Sequence, residues 1–300
     1  LVLQGWFQGQ NRMWPLAFAG LLGQLGKLGL GLFFIARASR RGPVAMAAAA
    51  LTAMAVSESA ACVFLFFLAR LGNRRFERPG RLLQVALPLM GDGLVFALAN
   101  AVDMAIIPTR LLCAGIKPAE ITPLLGRAWG MAFPTVFLPM VFVWPISAAN
   151  LPVISAAAAK GDLPGLRRRI GRTYLIVAGI SLGTAIVFCL LARPIVAVLY
   201  SAPEAAPFLS AFAWAAPPIY LAGLGGDLLV ALGRTRSLFW QSIFCVIVRT
   251  GLIYLFTGRP GLGIFGAVFG LAFGNELLAV TSARTVKKAL DELRKDRSRR

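Results

Sequence analysis

The sequence predicts an all-α polytopic membrane protein with about eight transmembrane helices, and three observations carry that prediction. Of its 300 residues 58% are hydrophobic and only 14% charged, with a mean hydropathy of +0.75; soluble domains average about a quarter charged. The apolar residues fall in runs of about 20, the length a helix needs to cross a bilayer. Most of the 31 lysines and arginines sit in the short gaps between those runs, where membrane topology concentrates them.

In chain order the runs predict spans over 14–35, 44–69, 82–108, 123–149, 173–192, 205–231, 237–257 and 262–283. The span over 123–149 carries Pro134, Pro139 and Pro145, so a kink or a local unwinding is expected there; a bilayer tolerates one when neighbours satisfy the freed carbonyls. Residues 193–200, "RPIVAVLY", are too short to span and read as an interfacial extension. The expected organisation is residues 1–80 with two helices, 81–283 with six, and a basic cytoplasmic tail over 284–300.

Charge in the gaps sets orientation. Arg12, the run from Arg70 to Arg81, Lys160 with Arg167, Arg168, Arg169 and Arg172, then Arg234 with Arg236, and the tail from Arg284 occupy alternate gaps. The opposite gaps hold fewer bases: Arg37, Arg40, Arg41, Arg110, Lys117, Arg127, Arg193 and Arg259. Both ends of this chain are therefore expected on the cytoplasmic side, where the basic gaps also attract anionic membrane lipids.

A net charge of +19 would point to nucleic acid in a soluble protein. Here topology accounts for the bases, the aromatic residues lie inside apolar runs, and no nucleic-acid partner is expected. Histidine is absent, so no His general base, Cys–His pair or His-ligated metal can form. Cys62, Cys113, Cys189 and Cys245 are widely spaced and read as small apolar packers. No metal and no cofactor is expected, and no enzymatic activity.

Seven ionisable residues lie well inside spans: Lys27, Glu58, Asp92, Asp103, Asp227, Arg249 and Glu276. Each would cost roughly 3 kcal/mol at a lipid-facing helix centre, so the set is expected to line an enclosed, wet interior. Asp92 and Asp103, about three turns apart, share one helix face. Arg249 can be satisfied by Asp227, Glu276 or Asp103 in a closed bundle; for Asp103 and Arg249, the deepest of the set, a substrate or ion role is the sharper reading. Glu58 and Asp92, flanked by Ser57, Ser59, Gly91 and Gly93, read as locally satisfied, and Glu276 beside Asn275 fits either class.

"GLGIFG" (261–266) fits a dinucleotide fingerprint, but a Pro and not a strand precedes it, so it is set aside. "GAVFGLAFG" (266–274) and "GLLGQLGKLG" (20–29) allow close helix approach. "KLGLGLFF" (27–34) aligns with "RTGLIYLF" (249–256), and "GQNR" (9–12) with "GRTR" (233–236). That alignment makes the first span equivalent to the seventh, two parallel repeats. On that offset, four further spans are expected ahead of Leu1.

Several segments, in order, carry a resemblance. "GWFQGQNRMWPLA" is similar to the opening of helix five of polysaccharide-export proteins of the multidrug/oligosaccharidyl-lipid/polysaccharide superfamily. "VDMAIIPTRLLCAGIKPAEITPLLGRAWGMAFP" resembles their seventh-to-eighth helix region, and "LPVISAAAAKGDLPGLRRRI" the loop after helix eight. "ALGRTRSLFWQSIFCVIVRTGLIYLFTGRPGLGIFGAVFG" resembles helices ten to twelve. The branch indicated is that of stage V sporulation protein B, related to lipid II flippases.

The resemblance covers nearly the whole chain and implies helices five to twelve of a two-lobe, six-plus-six transporter in the bacterial cytoplasmic membrane. It implies alternating access for a lipid-linked oligosaccharide diphosphate, a precursor of cell wall or polysaccharide, and a monomer at full length. Lys27 and Arg249 fall where the family carries a base in helices five and eleven, and Asp103 on its helix-seven aspartate; bases in the cavity would meet the diphosphate. One departure is Gly23-Gln24, where the family often has Glu-Gln, so Lys27 is expected to lack its usual carboxylate neighbour. Two other readings are a cation-coupled multidrug exporter of the same fold and a membrane-embedded transferase on lipid-linked sugars.

Overall fold

The computed structural model describes residues 14–70, 79–161 and 163–298, and these fall into two compact units, Leu1–Arg78 and Pro79–Arg300. Among the described residues there are helices and turns only, and eight helices are long and apolar enough to cross a membrane. The bases Arg12, Arg74, Arg75, Arg78, Arg299 and Arg300, and the "GQNR" half of the repeat, lie outside the described residues.

The first unit is a helical hairpin, α1 (Trp14–Ala38) and α2 (Pro43–Arg70), joined by a tight turn. Gly42 turns the chain at φ +93°, and Pro43 opens α2 with its ring already at a helical φ. The two helices run antiparallel: Phe18 packs on Phe64, Gly23 on Ala61 and Gly26 on Ser57. A Cβ on Gly26 would lie 2.9 Å from Ser57 Oγ, while Gly20 and Gly29 face open space. Two of the four glycines spaced by three thus bring the backbones together.

The second unit holds α3 (Pro79–Cys113), α4 (Pro118–Leu125), a π-helical segment (Gly126–Ala132), α5 (Phe133–Val136), α6 (Met140–Lys160), α7 (Leu163–Leu190), α8 (Ala192–Tyr200), α9 (Ala206–Ala231), α10 (Thr235–Thr257) and α11 (Ile264–Ser298). At its centre lies α9, apolar on all sides and packed against α6, α7 and α11, with Leu209, Phe212, Tyr220 and Leu229 fully buried. On its other side α11 packs along α10, and α10 along α3. These last two run parallel: contacts pair Gly91 with Phe239, Asn100 with Arg249 and Arg110 with Tyr254.

Three boundaries differ from the sequence expectation. The span placed at 123–149 is a broken rod: α4, the π segment and α5 end at Val136, and α6 restarts at Met140 and runs on to Lys160. The residues expected as a loop after it are largely helical, since the alanine-rich stretch to Lys160 continues α6 until Gly161 turns the chain at φ +71°, and α7 starts at Leu163, ahead of the expected 173. The tail over 284–300 is, as far as Ser298, an unbroken continuation of α11. Helices outrun their apolar stretches because hydropathy marks the membrane, whereas helix propensity continues through Ala, Arg and Lys.

The break at 137–139 is where the prolines act. Pro139 has no N–H, and successive i→i+3 bonds from Phe137, Leu138 and Met140 replace the helical pattern. The Val136 carbonyl freed by this is taken by the Tyr220 hydroxyl of α9, at 2.5 Å and fully buried. Tyr220→Phe strands that carbonyl and is expected to destabilise the protein by about 1–3 kcal/mol, readable as an unfolding midpoint in detergent.

Candidate functional site

The polar centre of the second unit is built on the α3–α10 contact. Asp103 and Arg249 are each only 3% exposed. Arg249 Nη2 lies 2.7 Å from Asp103 Oδ2 and also donates to Asn100 Oδ1 at 3.2 Å. The Thr250 hydroxyl donates to the other carboxylate oxygen, Oδ1, at 2.7 Å. The guanidinium stands 5.6 Å from the centroid of the Phe96 ring, and its buried Nε has no hydrogen-bond partner. Both Asp103 oxygens are thus engaged, while the base retains an unsatisfied N–H.

Local sequence explains the placement. Phe96, Asn100 and Asp103 recur at helical spacing on one face of α3. Arg249 reaches that face because α11 lets α10 sit close behind it: a Cβ on Gly274 would lie 2.5 Å from Arg249 Cβ, one on Gly270 2.7 Å from Ile253 Cγ1, and one on Gly266 2.5 Å from the Phe256 carbonyl. The GxxxG spacing is therefore a continuous seam against α10, as such spacing permits. At the far end Arg110 locks the same helix pair, donating to the Tyr254 carbonyl at 2.9 Å with its guanidinium over the Tyr254 ring.

A second base–acid pair lies in the first unit. Lys27 Nζ is 2.5 Å from Glu58 Oε1, with the glutamate side chain 66% exposed. The expectation that Lys27 lacks a carboxylate neighbour is corrected: the carboxylate comes from α2, one turn-and-return away, instead of from the preceding turn of α1. The two pairs are built differently, since Lys27 is matched from the helix after it and Arg249 from α3, far ahead of it in sequence.

The remaining candidates stay apart from these pairs. Asp92 is half-buried with Oδ1 buried and unpartnered, and Gly91 beside it packs on Phe239. Asp227 is half-buried on α9, on the side of Ser147. Glu276 is exposed, because two residues beyond Gly274 turns it away from the glycine seam. Of the three acids open to Arg249, the structure brings up Asp103. Asn100, Thr250 and Phe96 were not singled out from sequence; the Asn100/Asp103 spacing and the Arg249-Thr250 dipeptide were the available signals. Among the described residues no cluster of His, Cys, Asp and Glu is arranged to hold a metal.

Comparison with known proteins agrees with this architecture. The MatE family model matches residues 128–255. The chain is 28% identical over 306 residues to stage V sporulation protein B of Bacillus subtilis (strain 168), covering 96% of this chain and 58% of that protein. It is 24% identical over 304 residues to sporulation protein YkvU of the same organism, covering 96% of this chain and 67% of the relative. A crystal structure of MATE in the bent conformation superposes with a TM-score of 0.73 at 19% identity, over 98% of this chain and 66% of that one. A MOP superfamily transporter from Pyrococcus furiosus does so with a TM-score of 0.72 at 17% identity, over the same shares. The chain thus spans a little over half the length of the first relative. Membrane-spanning helices, the shared fold and the two sporulation-protein relatives converge: this is a multi-pass membrane protein with the fold of MATE transporters, similar in sequence to stage V sporulation protein B.

Proposed function

We propose that the chain works as part of a flippase-type transporter that moves lipid-linked cell-wall or polysaccharide precursors across the cytoplasmic membrane by alternating access. The observation that supports this reading is Arg249, a guanidinium 3% exposed among apolar helices, with a buried N–H left unsatisfied. Intramembrane charge of that kind marks a substrate or ion path, and a guanidinium matches phosphate oxygens in a planar fork. Thr250 holds Asp103 by its second oxygen, so the carboxylate stays in place while a diphosphate competes with it for the base. Within the first unit, Lys27, held by Glu58, is a phosphate-binding base in its own right.

Orientation follows the basic gaps, with both ends of the chain cytoplasmic. Arg167 of α7 pairs with Asp291 of α11, and Arg234 of the α9–α10 turn with Glu292, which gathers the basic gaps of the second unit at one end. That end faces anionic lipid headgroups. A second reading, cation-coupled drug export, is favoured by one observation: Asp92 carries a buried oxygen with no partner among the described residues. A proton or sodium gradient that drives efflux of an amphipathic cation, without movement of lipid diphosphate, would select it.

The test is flipping of a fluorescent polyprenyl diphosphate saccharide by proteoliposomes holding the product of the complete reading frame. Arg249→Ala and Lys27→Ala are each expected to lower the rate at least tenfold, since a charge-assisted bond contributes roughly 1.5–3 kcal/mol. Normal rates in both variants overturn the site assignment.

A further inference from the structure

On α3 the residues Phe96, Asn100, Asp103, Ile107 and Leu111 share one face by helical spacing, and exposure changes abruptly along it. Leu111 and Ile107 are fully buried and Asp103 is 3% exposed, whereas Asn100 is exposed and Phe96 is 53% exposed. The buried stripe of α3 continues through Ala99, 5% exposed, towards Gly91 against Phe239, so Asn100 and Phe96 stand at the exposed edge of the α3–α10 contact, beside Arg249. That edge presents an aromatic ring and an amide directly next to the buried guanidinium.

The amide has a fixed sense. Asn100 Oδ1 accepts from Arg249 Nη2, and turning the amide over would set its N–H groups against another donor. Asn100 thus offers two N–H donors outward, and they make no hydrogen bond among the described residues. Phe96 offers an apolar ring face to whatever lies over it. A lipid tail would match the ring and leave the amide unsatisfied; a bare phosphate would match the amide and leave the ring unused. A pyranose satisfies both, since its C–H face packs on an aromatic ring while a ring hydroxyl or an acetamido carbonyl accepts from the amide.

We propose that Phe96 and Asn100 form a saccharide subsite adjoining Arg249, which reads the sugar attached to the lipid diphosphate. The proposal rests on the reading above that Arg249 receives the phosphate. Asn100 and Phe96 then select for a glycosylated lipid, and Arg249 holds the diphosphate that glycosylated and bare lipids share.

Two probes separate these roles: a polyprenyl diphosphate N-acetylhexosamine and the same polyprenyl diphosphate without sugar. Each is titrated onto the product of the complete reading frame in detergent, following intrinsic tryptophan fluorescence. Wild type is expected to prefer the glycosylated probe. Asn100→Ala and Phe96→Leu are each expected to reduce that preference about five- to tenfold, the loss of one hydrogen bond or one ring contact, while Arg249→Ala weakens both probes together. Asn100→Leu and Phe96→Ala repeat the test should either first variant unfold, as thermal midpoints would reveal. Equal affinity of wild type for the two probes, or an unchanged preference in the Asn100 and Phe96 variants, overturns the subsite and leaves the phosphate role of Arg249 standing. Binding of neither probe overturns the flippase reading and the subsite with it.

Discussion

Asp103→Ala is expected to destabilise the protein by about 3–5 kcal/mol, the range for stripping a buried ion of its partner. The physical reason is Arg249: with Asp103 gone, its guanidinium stays 3% exposed and keeps only the Asn100 amide at 3.2 Å. The loss belongs to the stranded charge and not to the pair as such. Replacing both partners by apolar residues of similar size, Asp103→Leu with Arg249→Met, is therefore expected to recover most of the stability, because a buried pair and a packed apolar substitute differ little in net free energy. Unfolding midpoints of the two single variants and the double, compared in one detergent, check this; a double variant no more stable than Asp103→Ala would contradict it.

Gly270→Leu is expected to be nearly as damaging. Even a Cβ at this position would stand 2.7 Å from Ile253 Cγ1 and 2.8 Å from the Ile253 backbone nitrogen. Backbone cannot rotate out of the way as a side-chain tip can, so α10 and α11 must move apart, and α10 carries Arg249. Overpacking of this kind costs about 3 kcal/mol, and here the helix shift also lengthens the Arg249–Asp103 contact. Gly29→Ala supplies the contrast: with open space around it, the substitution is expected to be neutral or stabilising by up to about 1 kcal/mol. Thermal unfolding of the two variants in detergent separates a packing seam from a merely glycine-rich sequence.

The helices themselves were legible because bilayer crossing forces long apolar runs, and hydropathy reads such runs directly. Their ends were less so. Pro134, Pro139 and Pro145 announced the broken rod between Pro118 and Lys160, but the group that takes up its freed Val136 carbonyl, the Tyr220 hydroxyl of α9, comes from 84 residues away. The α11 extension was hidden by its bases; its Val286, Ala289 and Leu290 are buried while Asp291 and Glu292 pair with Arg167 and Arg234, so an apparent charged tail is one face of a docked helix.

At the site, sequence identified the charged residues but not their partners. Intramembrane cost singles out Arg249, Asp103 and Lys27 wherever they point. Pairing is set by which helices adjoin, and adjacency was visible only faintly, through the glycine spacing of α11. Asp103 was one of three acids open to Arg249, and Glu58 read as locally satisfied although it meets Lys27 across the hairpin. Neutral residues such as Asn100 and Thr250 carry no composition signal in an apolar run; they emerge only beside the groups they bond.

The central claim is that Arg249 is charged for the substrate's sake and not for the fold's. The Asp103→Leu/Arg249→Met double variant, produced from the complete reading frame and shown to be folded, addresses that directly. Placed in proteoliposomes with a fluorescent polyprenyl diphosphate saccharide, it is predicted to leave the lipid in its original leaflet, at least tenfold slower than wild type. A folded double variant that moves the lipid at the wild-type rate would show the pair to be scaffolding alone.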